Sequence, residues 1–302
     1  MEINIQTKSG SNTEFERDYI YGFILQHAPE VKSLSRVVVY SSNKRENKPT
    51  GVKKNDFVVH LSNENLRYNY HFLSYTNTIL RSYYHPFIWH PRCYAIPLGW
   101  QTGFRNLKNK IGKHDKYMWC FIGQIKGYRV PMYEAFKELT PNFSSLSTKW
   151  NSRLLTNEEV AQVYLDSAFA LVPFGSVHAD TIRVMEVLEW GCVPVVIKYM
   201  HADYYKFIYG DHPFIVGKDW NDARKQVEQL WADKEALRKK QKEVQQWYAA
   251  FKERLQADIT DILSGKKPTR CEQWRYQRWG RLNPWILGTW YYHFYYKKRP
   301  IY

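Results

Sequence analysis

The second half of the chain alternates short β-branched runs with amphipathic stretches of about ten residues, and this alternation restricts the fold more than any other feature. Met118-Trp-Cys-Phe-Ile122, Phe169-Ala-Leu-Val172, Val193-Pro-Val-Val-Ile197 and Phe214-Ile-Val216 read as buried strands. Val130 to Leu139 reads as a helix with Pro131 in its first turn. Thr156-Asn-Glu-Glu159 is a capping box that opens a helix running to about Asp166. Asp180 and Thr181 open a third helix, with Ile182, Met185, Val187, Leu188 and Trp190 as its apolar set and Gly191 stopping it. Short strands separated by such helices predict an α/β domain, a parallel sheet with helices on both faces. A long helical stretch follows from Asn221 to Leu263, with an apolar stripe that breaks near Asp233.

The first half is less regular. Arg36-Val-Val-Val-Tyr40 and Asp56-Phe-Val-Val-His60-Leu61 read as strands, whereas Glu64 to Tyr84 shows no clean period and stays unassigned. Asn106 to Lys116 is rich in Lys and Gly and reads as a linker. Residues 1–115 are therefore expected to form one α/β domain and 116–265 a second, which includes the long helix. After Gly265 the composition shifts to interleaved Lys/Arg and aromatic residues, so 266–302 reads as a separate tail. That composition suits a membrane interface, and it equally suits a tail packed back on the N-terminal domain.

Lys and Arg number 44 against 29 Asp and Glu, a formal charge of +15, and 17% of residues are aromatic. This balance points to anionic partners: nucleic acid, lipid headgroups, nucleotides or acidic glycans. No apolar run reaches the ~18 residues of a spanning helix. The opening Met-Glu-Ile-Asn-Ile-Gln has no basic region followed by an apolar one, so no secretory signal is expected. Cys93, Cys120, Cys192 and Cys271 lie far apart, which argues against a disulfide scaffold or zinc knuckle and fits a reducing, cytoplasmic setting.

The chemistry concentrates between Ser167 and Ile197. A strand ends in the Pro/Gly loop Pro173-Phe-Gly175, a helix then begins with Thr181, Arg183 and Glu186, and Gly191-Cys-Val-Pro194 turns into the next strand. Loops at the carboxyl ends of parallel strands are where phosphorylated ligands bind. Free N–H groups around Thr181 are expected to face the ligand, and Arg183 to give charge-assisted hydrogen bonds to phosphate. Glu186, one turn on, can accept from two ribose hydroxyls.

This segment resembles the donor-binding half of exostosin-like (GT47-type) glycosyltransferases, whose pattern is roughly Phe-x-Leu-x-Pro-x-Gly, then Ser-x-Arg-x-x-Glu, then Gly-Cys-Ile-Pro-Val. Here it reads Phe169-Ala-Leu-Val-Pro173-Phe-Gly175, Thr181-Ile-Arg183-Val-Met-Glu186 and Gly191-Cys192-Val193-Pro194-Val195. Thr stands for Ser and keeps the hydroxyl; Val stands for Ile. Phe121-Ile-Gly123-Gln-Ile-Lys-Gly-Tyr-Arg129 looks like the strand–Gly–Arg element that opens the donor domain. The resemblance implies a GT-B fold, two Rossmann-like domains facing a cleft, with the sugar nucleotide held mainly by the second. It also implies inversion at the anomeric carbon without an essential metal. Gly123, Arg129, Gly175, Thr181, Arg183 and Glu186 are then the nucleotide-sugar residues, with Arg183, Arg129 and helix N-terminal amides meeting the leaving diphosphate.

Inversion needs a base for the acceptor hydroxyl, expected from the first domain. His60-Leu-Ser-Asn-Glu64 resembles a His-x-x-Asp-Glu turn of related bacterial transferases, with Asn63 in place of Asp. Glu64 is the first candidate, His60 the second and Asp18 a distant third. His178-Ala-Asp180 and His201-Ala-Asp203 each offer two ligand-type side chains without a third, so no metal site is expected. His178 is expected to be solvated, and Cys192 to be a small core residue.

The expectation is an inverting, metal-independent glycosyltransferase that needs no cofactor beyond its nucleotide-sugar co-substrate. Its acceptor is a hydroxyl of a surface glycan or glycolipid, of lipopolysaccharide or capsule type, at the cytoplasmic face of a membrane whose anionic surface attracts the tail. The alternative is a basic nucleic-acid-binding protein without activity. No RRM, KH, zinc or helix-turn-helix signature supports it, and no nucleic-acid partner is expected.

Overall fold

Two all-parallel sheets organise the computed structural model, which describes residues 1–7, 16–41, 51–61, 78–83, 93–105, 112–147, 155–175, 178–199 and 202–266. The elements run β1 (Glu2–Thr7), α1 (Arg17–Tyr19, continued as a π-helical turn Ile20–Ile24), β2 (Arg36–Ser41), β3 (Phe57–Leu61), β4 (Thr78–Arg81), β5 (Cys93–Ala95), β6 (Tyr117–Gln124), α2 (Arg129–Phe136), β7 (Asn142–Ser147), α3 (Asn157–Asp166), β8 (Ser167–Leu171), α4 (Arg183–Glu189), β9 (Val193–Ile197), α5 (Lys206–Tyr209), β10 (Ile215–Gly217), α6 (Trp220–Ala232) and α7 (Lys234–Leu263). The chain divides into two compact units. Among the described residues, unit 1 takes those within Met1–Thr102, Phe207–Gly210 and from Phe251 to Lys266; unit 2 takes those within Gly103–Lys206 and Asp211–Ala250.

Unit 1 carries the sheet β1-β2-β3-β4-β5. Val37 to Tyr40, Val58, Val59, Ile79 and Leu80 are fully buried, the unbroken apolar runs of strands covered on both faces. The strands expected at 36–40 and 56–61 are present. β1 was not expected. Its alternation is short, and as an edge strand it leaves Ile5 46% exposed, so little burial pattern marks it. β4 lies in the unassigned stretch, because four buried residues ending in Arg81 carry no period to read.

Unit 2 carries the sheet β10-β9-β8-β6-β7. The predicted capping box is formed: Glu159 N–H donates to Thr156 Oγ1 at 3.2 Å, and Thr156 N–H to Glu159 Oε2 at 2.7 Å. The helix expected to open at Asp180/Thr181 begins at Arg183 instead, because both side chains are spent on the turn before it. Thr181 N–H donates to Asp180 Oδ1 at 2.9 Å, and Arg183 N–H to Thr181 Oγ1 at 3.1 Å. Gly191 follows the helix with φ +75°, the left-handed stop its position predicted. The edge strand β7 went unread because Asn-Phe-Ser-Ser-Leu-Ser has only two apolar residues.

The first segment of unit 1 ends at Thr102 and unit 2 opens at Gly103, whereas 1–115 is expected to form one domain. Part of the expected linker is tied into unit 2: His114 is buried, with Nδ1 3.0 Å from the carbonyls of Tyr164 and Ser167. The long helix breaks at Asp233 as expected, where Oδ1 accepts from the N–H groups of Glu235 and Ala236 and so caps α7. Its last 13 residues, Phe251 to Leu263, expected in the second domain, belong to unit 1. Phe251, Ile259 and Ile262 are buried there and line a crevice with Leu80, Tyr94 and Ile96. No described helix is long and apolar enough to cross a membrane. The basic aromatic tail from Lys267 on lies outside the described residues.

Candidate functional site

Strand order locates the site in unit 2. From β6 the chain passes through α2 to β7 on one side; from β8 it passes through α4 to β9 on the other. Chain direction therefore switches between β6 and β8, and the crevice at the carboxyl ends of such a pair is where α/β sheets bind ligands.

Gly123, Arg129 and Arg183 meet there. Gly123, next to last in β6, has φ +150°, and a Cβ built on it would lie 2.8 Å from Nη2 of Arg183 and 3.7 Å from Nη1 of Arg129. Glycine is thus required both by the backbone and by the space that the guanidinium occupies. Arg183 Nη2 donates to the Ile122 carbonyl at 2.9 Å, and its guanidinium lies over the Phe121 ring at 5.2 Å. Arg129 donates from Nε to the Phe174 carbonyl at 3.3 Å and from Nη1 to the Gln124 carbonyl at 3.2 Å. The loops after β6 and β8 are thereby tied together, and Gly175, the residue after Phe174, stands beside that tie, half-buried. Arg183 makes no ion pair among the described residues. Instead of pairing with Glu186 along the helix face, it turns to the end of β6, so its positive charge is held at the crevice.

Two expectations change. The amides of Thr181 and Arg183 do not wait for a ligand: Asp180 and Thr181 side chains already accept from them, and Val184 N–H donates to the Thr181 carbonyl. Thr181 is 7% exposed and shapes the turn. His178 is not solvated but buried at 8%, edge-on to Tyr204 with centroids 5.2 Å apart, and its Nδ1 accepts from Asp180 N–H at 3.1 Å. Glu186 is 6% exposed, and its charge and that of Arg183 both act on the buried Tyr164 hydroxyl.

The sequence reads Asp180 as a helix opener and as one of two ligand-type side chains with His178, not as a buried acid. It is 1% exposed, Oδ2 has no hydrogen-bond partner, and burial pushes its carboxyl up to about 8. Asp203, from the second His-Ala-Asp triplet, contacts His212 Nε2 at 3.2 Å, and His201 lies outside the described residues. Among the described residues no three metal-ligating side chains gather. Cys192 is fully buried, as expected of a core residue.

Unit 1 holds the base candidates. His60 is 2% exposed near the end of β3, its ring 4.9 Å from that of Tyr40. Asp18 lies 3.8 Å from Arg17, and Glu64 lies outside the described residues. Glu16, which sequence reasoning passed over, is 8% exposed; it makes no side-chain cap, and burial raises its carboxyl to about 7.

The family model of the RXYLT1 C-terminal domain matches residues 106–267, a little over half of the chain. No curated protein matches it. Among solved structures, an alpha1,3-fucosyltransferase aligns with TM-score 0.50 at 11% identity, covering 83% of this chain and 90% of that one. The same enzyme with GDP-fucose gives 0.49 at 11% identity over 84% and 90% of the two chains. The DNA-modifying beta-glucosyltransferase gives 0.45 at 12% identity over 87% and 97%. The two parallel-sheet units and the first of these likenesses show the expected fold: α/β, of GT-B type, with two Rossmann-like halves.

Proposed function

The chain belongs to the family of the RXYLT1 C-terminal domain, and from that membership we propose that it is an inverting glycosyltransferase that takes its sugar from a nucleotide sugar. The observation that carries the reading is the packing of the Arg183 guanidinium onto Gly123 at the β6/β8 crevice, with Arg129 beside it. Two cations fixed by backbone carbonyls are preorganised to receive a diphosphate. They gain most when the glycosidic C–O bond breaks and charge grows on the leaving oxygen. A base, Glu64 or His60 in this reading, takes the proton of the acceptor hydroxyl. The hydroxyl oxygen then bonds to the anomeric carbon on the face opposite the departing diphosphate, and the configuration inverts. Glu186, 6% exposed, is the ribose-side acceptor in this reading.

In this proposal the charge-neutralising role falls to Arg129 and Arg183, so turnover needs no metal. The exostosin-like resemblance suggests a glycan or glycolipid acceptor, and the positive charge of the chain suits work beside anionic lipid at the cytoplasmic face of a membrane. The test is thermal stabilisation by UDP, GDP or CMP. A rise in Tm with one nucleotide that Arg183→Ala abolishes supports the reading. Salt-sensitive RNA binding with no nucleotide effect replaces it with the nucleic-acid alternative.

A further inference from the structure

Three loops at the carboxyl ends of unit 2 strands each contribute one aromatic ring to a single row. Tyr128 lies between β6 and α2, Phe174 follows β8 and Tyr199 follows β9. Phe174 stands edge-on between the others, 6.3 Å from Tyr128 at 72° and 5.2 Å from Tyr199 at 88°. Phe174 is buried and Tyr199 half-buried, so the inner part of the row is fixed. Tyr128 at the outer end is 43% exposed. The contact with Phe174 leaves part of the Tyr128 ring open to solvent. Val130 at 42% and Leu146 at 37% are exposed at the same end of the sheet, and Leu146 pairs with Gly123 in the β6–β7 register. Tyr128 directly precedes Arg129 in the chain, so its exposed ring is carried by the same loop as one of the crevice's two guanidiniums.

We propose that the exposed ring of Tyr128 is the stacking platform for the nucleobase of the donor, held in position by Phe174 and Tyr199. The inference rests on the nucleotide-sugar reading and extends it to the base. Tyr128 directly precedes Arg129, and Arg129 binds the carbonyl of the same Phe174 whose ring supports Tyr128. An aromatic face beside two guanidiniums matches a ligand with a flat heterocycle at one end and a diphosphate at the other. A lipid chain would use the apolar face without the cations, and an inorganic anion would use the cations without the face.

Binding of UDP, GDP, CMP and inorganic diphosphate to wild type, Tyr128→Ala, Tyr128→Leu, Tyr128→Phe and Arg183→Ala tests this. Tyr128→Leu keeps bulk without a π-face and stands in should Tyr128→Ala fail to fold. Both should weaken the nucleotide that wild type prefers by about tenfold, while Tyr128→Phe retains affinity. Inorganic diphosphate should bind all three Tyr128 variants as it binds wild type and should lose affinity only in Arg183→Ala. Unchanged nucleotide affinity in Tyr128→Ala or Tyr128→Leu, or an equal loss for inorganic diphosphate, overturns the platform and leaves the enzyme reading intact. If wild type binds none of the nucleotides, the enzyme reading itself fails and the platform with it.

Discussion

The guanidinium of Arg183 fills the space that a side chain on Gly123 would take, 60 positions earlier in the chain, and is pinned there by its hydrogen bond to the Ile122 carbonyl. The glycine and the arginine are therefore one device: the first leaves the room, and the second puts its charge in it.

Gly123→Ala should break that device. The new Cβ would meet Nη2 at 2.8 Å on a backbone at φ +150°, so both the strand end and the guanidinium must shift. The expected cost is about 1–3 kcal/mol of stability, with loss of nucleotide-induced stabilisation. Urea denaturation and a nucleotide thermal shift measure the two effects separately. A variant that still responds to nucleotide as wild type does would show that Arg183 does not depend on Gly123 for its position.

Much of unit 2 was legible because its strands are buried on both faces and its helices carry explicit start and stop residues. The Thr156/Glu159 box, Gly191 and Asp233 each sit where local chemistry alone requires them. The edge strands β1 and β7 were not legible, since an edge strand buries too little to impose a pattern. Motif spacing singled out Gly123, Arg129 and Arg183 as candidates, and the fold brings the three together at the end of β6. The free amides expected around Thr181 were not legible as already bonded, because a hydroxyl at a helix start serves a ligand or its own turn equally well, and only the hydrogen bond from Arg183 N–H shows the second use. Tyr128, Phe174 and Tyr199 were missed because a row built from three separate loops has no sequence period.

The base assignment predicts a separation of binding from turnover. Glu64→Gln keeps shape and polarity and removes the proton acceptor, so donor affinity should stay within about twofold while kcat falls by about 10²-fold or more. His60→Gln, in a site packed against Tyr40, should instead cost stability. Nucleotide binding and steady-state rates on the two variants check this. Full turnover in Glu64→Gln would move the base to another residue, and Glu16, buried with its carboxyl raised to about 7, would be next to replace.

Asp180 makes stability depend on pH in a definite direction. Its carboxyl titrates near 8 in the folded protein against 3.8 as the ordinary value, so between those limits the folded state holds a proton that the unfolded chain has released. Stability is therefore fullest below about pH 4 as far as this group is concerned, and it falls as pH rises toward about 8, with a limiting slope of about 1.4 kcal/mol per pH unit. Glu16 adds a slope of the same sign between 4.5 and about 7. Asp180→Asn cannot ionise, and its amide oxygen can still accept from Thr181 N–H as Oδ1 does. The variant should have a flatter stability profile than wild type from pH 5 to 8, whatever its absolute stability, because the new amide N–H₂ replaces an oxygen that already lacked a partner. Urea midpoints across that range measure the slope. Equal slopes for wild type and Asp180→Asn would show that the carboxyl ionises without cost, and that the turn before α4 opens to water more readily than its 1% exposure indicates.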